Sequence, residues 1–175
     1  LLLLEKDYYL TILLSKINTL SQDLIFKGGS CLNKIYYSYY RLSEDLDFTL
    51  RLSPDNPSRT IKRKLFKPIK ETILSYVQAF GMRIHDLDNI GHNQSSQYII
   101  YVDYDSEVLE KPQTIKLEIG LRFNPLLPTR NKKINHKFLR PFTQEPLFDG
   151  GMITCLDLKE IVAEKLRASA TRINI

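Results

Sequence analysis

Two short stretches of this chain hold side chains whose types and spacing could do phosphate chemistry. The first is Gly28-Gly29-Ser30; the second runs Arg41-Leu42-Ser43-Glu44-Asp45-Leu46-Asp47-Phe48. Residues two apart on a strand point to one face, so Asp45 and Asp47 project together while Leu46 and Phe48 project into a core. Two carboxylates side by side repel unless a cation lies between them, and Mg²⁺ bridging to a substrate phosphate is the usual remedy. A solvated, acidic edge strand would carry the same D-x-D spelling. Glu44 adjoins the pair in sequence but points away from it.

Gly28 and Gly29 let the backbone approach a ligand with no Cβ in the way. Ser30 adds a hydroxyl and is placed to cap a following helix, whose first N–H groups and dipole favour an anion. A tight strand-to-helix turn with a serine cap would use the same three residues. No Lys follows the glycines at the Walker A spacing, so P-loop chemistry is unsupported. A triphosphate on the glycine turn, with its metal on the D-x-D, points to nucleotidyl transfer.

Two later segments bear on the same chemistry. Thr114-Ile115-Lys116-Leu117-Glu118-Ile119 alternates apolar and charged residues, which puts Lys116 and Glu118 on one face of a strand. Beside the Asp45–Asp47 strand, Glu118 would be a third carboxylate, as metal ligand or as general base on an attacking hydroxyl. Lys116 would neutralise phosphate charge; a surface Lys–Glu pair of little consequence gives the same pattern. In the last segment Leu158, Ile161, Val162 and Leu166 form an apolar stripe at about 100° per residue. Lys165 and Arg172 fall within that stripe and Arg167 opposite it. A cation on an inward face must snorkel or meet an anion, which makes Lys165 and Arg172 candidate triphosphate contacts.

These groups need a frame. A first helix is expected from about Glu5 to Leu20, then a short strand Leu24 to Phe26, the glycine turn, and a helix through Leu32, Ile35 and Tyr36. Asp45 to Leu50 reads as a strand. After Pro54 and Pro57 a helix runs from about Ser58 to Phe80 on the stripe Ile61, Leu65, Ile69, Ile73, Val77 and Phe80, and Gly81 closes it. Strands follow at about Arg83 to Leu87, Gln97 to Asp103 and Thr114 to Ile119. A proline-rich region holds one strand near Ile134 to Leu139, and a last helix begins near Cys155 or Leu156. The pattern is an α/β or α+β arrangement, a small mixed sheet flanked by helices, with no internal repeat.

The length of 175 residues fits one domain with a core of its own. Hydrophobic residues at 43% and charged ones at 26% exclude a disordered chain. A net charge of +5 favours an anionic partner without demanding one. Cys31 and Cys155 make neither a disulfide framework nor a metal-ligand spacing, and His85, His92 and His136 are scattered. The opening Leu1–Leu4 run is cut short by Glu5, Lys6 and Asp7, so it is no signal peptide, and no apolar run approaches about 18 residues. A soluble cytoplasmic protein with no membrane partner is expected. The chain lacks an initial Met and stops inside an apparent helix, as a piece of a longer protein would.

Phe26-Lys27-Gly28-Gly29-Ser30 followed by Arg41-x-Ser43-x-Asp45-x-Asp47-Phe48 resembles the AbiEii/AbiGii-type toxins of the nucleotidyltransferase superfamily. Lys116-x-Glu118 and Ala163-Glu164-Lys165-Leu166-Arg167-Ala168…Arg172 are similar to that family's later motifs. The resemblance implies a polymerase-β-like nucleotidyltransferase fold, a divalent metal (Mg²⁺ or Mn²⁺) and a nucleoside triphosphate. It implies a toxin of a toxin–antitoxin or phage-defence module, with a cognate antitoxin, that transfers nucleotides to an RNA such as tRNA. By motif match Gly28, Gly29 and Ser30 would hold phosphate, with Arg41, Ser43, Lys116 and Arg172 also near the nucleotide. Asp45, Asp47 and Glu118 would bind metal, and Lys165 would complete the catalytic set. Glu118 stands where the family commonly has Asp, and more helical sequence usually follows the Lys165 motif.

The expected activity is a metal-dependent transfer of NMP from an NTP to an acceptor, with two ions roughly 3.5–4 Å apart. RNA as acceptor agrees with the basic helix bearing Lys62, Arg63, Lys64, Lys67 and Lys70. The rival readings are a binding protein that kept the fold and lost catalysis, and a D-x-D glycosyltransferase using a sugar nucleotide.

Overall fold

Alternation of apolar and polar residues builds the centre of a mixed sheet, and one face of that sheet becomes the core. The structure, a computed structural model, describes residues 1–37, 42–53, 55 and 57–172, the last by its backbone alone. Arg41 and the Arg172 side chain therefore lie outside the described residues. In chain order come α1 (Leu2–Ser15), α2 (Ile17–Leu20), β1 (Leu24–Lys27), α3 (Gly28–Cys31) and a π-helical turn over Leu32–Tyr36. There follow β2 (Asp45–Leu50), α4 (Arg59–Gln78), β3 (Arg83–Ile84), β4 (Gly91–His92), β5 (Gln97–Ser106) and β6 (Lys111–Gly120). The chain continues with β7 (Arg130–Lys133), β8 (Met152–Cys155) and α5 (Leu158–Arg172).

The strands run in the order β3-β5-β6-β2-β1-β8-β7, with β4 also on β5. β1 and β2 are antiparallel, β2 and β6 parallel, and β1 and β8 parallel. Residues in register share a face. Phe48 pairs with Ile119, which pairs with Tyr98, so these three point to one side. On that side the Phe66 ring of α4 stacks on Tyr98 with centroids 3.6 Å apart. Ile69, Ile73 and Val77 continue the buried stripe of α4, and Tyr9 of α1 stacks on Tyr104 of β5. Ser58 caps α4 by accepting from the Ile61 N–H. Lys27, Asp45, Asp47, Lys116 and Glu118 lie on the opposite face.

Four expectations change. The first helix is two, because the chain breaks at Lys16 between α1 and α2. The strand expected near Ile134 to Leu139 lies earlier, at β7, where pairing with β8 holds four exposed residues that show no alternation of their own. Ile134 instead plugs the core at 2% exposure. β8 went unread because its four residues adjoin the apparent start of the last helix. That helix begins only at Leu158, with Asp157 Oδ1 accepting from the Lys159 N–H at 3.0 Å.

Candidate active site

The carboxylates meet through strand register. β2 and β6 run side by side with Asp45 opposite Lys116 and Asp47 opposite Glu118. On the other flank of β2, Lys27 is the register partner of Asp47. One row across three strands thus reads Lys27, Asp47, Glu118. Lys116 donates to Glu118 Oε2 at 2.9 Å and Gln97 donates to Oε1 at 2.6 Å, so both oxygens of Glu118 are engaged.

The row has an uneven electrostatic profile. Asp47 is pushed up to about 6, by burial first and then by the negative charges of Glu118 and Asp45. Burial also works against a charged Glu118, but the bonds from Lys116 and Gln97 outweigh it and hold that carboxyl below its ordinary value. Lys116 is raised in turn, chiefly by its bond to Glu118. A buried acid beside two others is an arrangement that a bound cation relieves.

Gly28 is fixed by Asp47. Its φ is +77°, and a Cβ there would lie 2.9 Å from both Cβ and Cγ of Asp47 and collide with Oδ2. The glycine turn and the D-x-D strand are therefore one fitted unit. Ser30 has a different place from the one expected. The helical turn starts at Gly28, so Ser30 is inside it and not its N-cap, and its buried hydroxyl donates to the Asp45 carbonyl oxygen. It ties the turn to the first residue of β2. Ser43 is half-buried just before that strand.

A cleft of about 510 Å³ opens over this row. Its walls include Lys27, Asp47 and Glu118, the loop after β6 from Arg122 to Leu126, and the α5 residues Glu160, Ala163, Glu164 and Arg167. The loop is held at both ends. Asn124 accepts from the Leu52 N–H at 2.8 Å and donates to its carbonyl at 3.0 Å. Glu160 receives the N–H groups of Leu126 and Leu127 at 2.9 and 3.1 Å. Across the cleft Lys27 Nζ meets both carboxylate oxygens of Glu164, at 3.3 and 3.2 Å.

Residues 160, 163, 164 and 167 are one helical face, and this corrects the expected geometry of α5. Lys165 is exposed and does not line the cleft, whereas Arg167, expected on the outer face, does. Leu166, expected inward, is 67% exposed. Val162 of the same stripe is 37% exposed, so apolar spacing alone misjudged which side faces the site. The basic helix α4 covers the sheet face opposite Asp45, Asp47 and Glu118. His85 pairs with Asp103 and His136 with the Phe148 carbonyl, and no histidine lines the cleft.

The donor set suits a divalent cation in part. Among the described residues, neither the Asp45 nor the Asp47 carboxylate accepts a hydrogen bond or ion pair, which leaves both free to ligate. Among the same residues no three His, Cys, Asp or Glu side chains are gathered closely enough to hold a metal ion. Glu118 would have to exchange Lys116 for the metal to join them. Sequence reasoning missed Lys27, Gln97, Glu164 and Arg167. Lys27 was readable, since it lies two residues from Ile25 and opposite in face to Phe26, but the others depend on long-range register and on where α5 docks.

A glycine turn fitted to a D-x-D strand, with a K-x-E strand parallel to it, defines a nucleotidyltransferase-type α/β fold. The chain belongs to the AbiEii family: residues 12–174 match the family described as nucleotidyl transferase AbiEii toxin, type IV toxin–antitoxin system. Two crystal structures of Helicobacter pylori proteins share the fold. One, a candidate nucleotidyltransferase, is 20% identical with a TM-score of 0.53, over 92% of this chain and 56% of that one. The other, JHP933, is 21% identical with a TM-score of 0.53, over 94% and 56%. The chain thus spans little more than half the length of these relatives. No curated protein matches it. Among the described residues no helix is long and apolar enough to cross a membrane.

Proposed function

We propose that residues 1–175 act as a metal-dependent nucleotidyltransferase domain that moves NMP from an NTP to an RNA acceptor such as tRNA. In this reading it is the toxin of a toxin–antitoxin module, held in check by a cognate antitoxin, and works in the cytoplasm where NTPs and tRNA are found. The observation that carries the proposal is the register of Asp45 and Asp47 against Lys116 and Glu118, with Gly28 shaped around Asp47.

Asp45 and Asp47 would hold the divalent cation, Mg²⁺ or Mn²⁺, with Glu118 as third ligand or as base. Bound there, the ion would offset phosphate charge and sharpen the acceptor hydroxyl as a nucleophile. The Gly28–Gly29 backbone cradles phosphate, and Ser30 keeps that turn seated on β2. Arg41, Ser43 and Arg172 are further candidates for nucleotide contacts; Lys165 would reach the nucleotide only if α5 turned. The acceptor oxygen attacks the α-phosphorus, the bond to the β-phosphate oxygen breaks, and pyrophosphate leaves. Glu118 receives the acceptor proton as Lys116 turns to the phosphate charge.

The test is incubation with Mg²⁺, each labelled NTP and total tRNA, beside the Asp45→Ala/Asp47→Ala variant. Label on tRNA from the parent and none from the variant is the expected result, and it identifies the base. Bound nucleotide without any labelled RNA would contradict the RNA acceptor. Failure to bind nucleotide with metal would contradict the enzyme reading.

A further inference from the structure

Three cations line the cleft, Lys27, Arg122 and Arg167; among the described residues Arg122 reaches the Gln97 amide, and of the three Lys27 alone is in an ion pair, with Glu164. Lys116 is committed to Glu118, and Glu160 is committed to the Leu126 and Leu127 N–H groups. Lys27 and Glu164 remain, one from each wall. We infer that Lys27 is a phosphate-binding residue for the triphosphate, and that Glu164 occupies the anion position that a phosphate takes. The inference rests on the nucleotidyl-transfer reading of the cleft.

Lys27 closes the row Lys27, Asp47, Glu118 and immediately precedes the glycine turn. A phosphate cradled by that turn therefore lies beside its ammonium. The contact with Glu164 is two-pronged, with both oxygens within 0.1 Å of the same distance from Nζ (3.3 against 3.2 Å). A lysine ammonium is a compact point charge that meets phosphate and carboxylate oxygens alike. The side chains of the pair remain 29% and 37% exposed, a setting in which an ion pair adds little to folding. A triphosphate carries several charges to the single one of Glu164, so it displaces the carboxylate from Lys27 and α5 loses its tie to β1. The pair is thus an internal competitor that the substrate replaces.

The experiment measures binding of Mg²⁺–ATP, inorganic tripolyphosphate and adenosine by calorimetry to the parent, Glu164→Gln, Lys27→Met and the double variant. Removing the competitor should tighten tripolyphosphate and ATP by about two- to fivefold, with adenosine unchanged. Lys27→Met should weaken both phosphate ligands by about tenfold or more, again sparing adenosine. The double variant should match Lys27→Met, because Glu164 acts only through Lys27. Glu164 lies on a half-exposed helix position, so its variant folds whether or not Lys27→Met does, and melting curves check both. Unchanged or weaker phosphate binding by Glu164→Gln overturns the inference while leaving the proposed function intact. Absence of ATP binding by the parent contradicts the proposed function and this inference together.

Discussion

Asp47 of β2 and Glu118 of β6 are register partners across a parallel strand pair, two acids placed face to face by backbone pairing alone. Nothing in folding calls for such a neighbourhood. Asp47 is mostly buried, lacks a hydrogen-bond donor among the described residues, and is pushed up to about 6 by burial and by its acidic neighbours. It is a strained position of the kind that function maintains at the expense of stability.

The first prediction follows from that position. A carboxyl that titrates near 6 when folded and near 3.8 when unfolded favours the fold in its protonated form. That contribution is complete below the unfolded value and is lost as pH rises through about 6. In metal-free buffer, the melting temperature of the parent should therefore fall relative to that of Asp47→Asn as pH rises between about 4 and 7. Asp47→Asn should remove the Asp47 contribution and stabilise the apo protein at neutral pH by about 1–3 kcal/mol, or about 2–4 °C for each kcal/mol, while abolishing transfer. Added divalent metal should stabilise the parent and not the variant, and its binding should weaken below pH about 6.

Gly28 gives a second. Gly28→Ala sets a Cβ against the Asp47 side chain at a φ of +77°. The variant should lose about 1–3 kcal/mol in denaturant titration, and metal-dependent nucleotide binding should disappear with it. Gly81→Ala is the matching control, since its φ is +72° with nothing within 4 Å of the new Cβ. It should show the backbone cost without the loss of binding.

The loop that walls the cleft rests on the Asn124 side chain, which pairs with both polar groups of the Leu52 backbone. Asn124→Ala should cost about 1–2 kcal/mol. It should raise KM for the NTP more than it lowers kcat, because the carboxylate row lies on β2 and β6 and not on this loop. Steady-state kinetics beside a denaturant titration separates the two effects.

How far the sequence alone reaches is clear from particular residues. The D-x-D strand was readable at its observed bounds, because period-two alternation is local, and the α4 stripe was right at Ile69, Ile73 and Val77. The neighbourhood of Asp47 and Glu118 was a conditional expectation, since alternation fixes a face but not a partner strand. Lys165 was placed on the wrong side because helical spacing gives a stripe and docking decides which part of it is covered. β7 and Lys27–Glu164 depend on contacts between distant segments, and no local pattern announces them.

The basic residues of α4 supply a further test. Lys64, Lys67 and Lys70 are exposed on a helix that covers the face of the sheet opposite the carboxylate row. Reversing all three to Glu should leave NTP binding within about twofold of the parent, as expected for charges screened by the sheet and solvent. Equilibrium binding of nucleotide at physiological salt checks this.

In the proposed reaction the row of Asp45, Asp47 and Glu118 directs attack on the α-phosphorus of a triphosphate. Parallel reactions with α-labelled and γ-labelled NTP test it most directly. The α label should stay on the acceptor, the γ label should leave as pyrophosphate in equal amount, and Asp45→Ala/Asp47→Ala should do neither. A γ label on the acceptor, or release of single phosphate with no α label transferred, would contradict it.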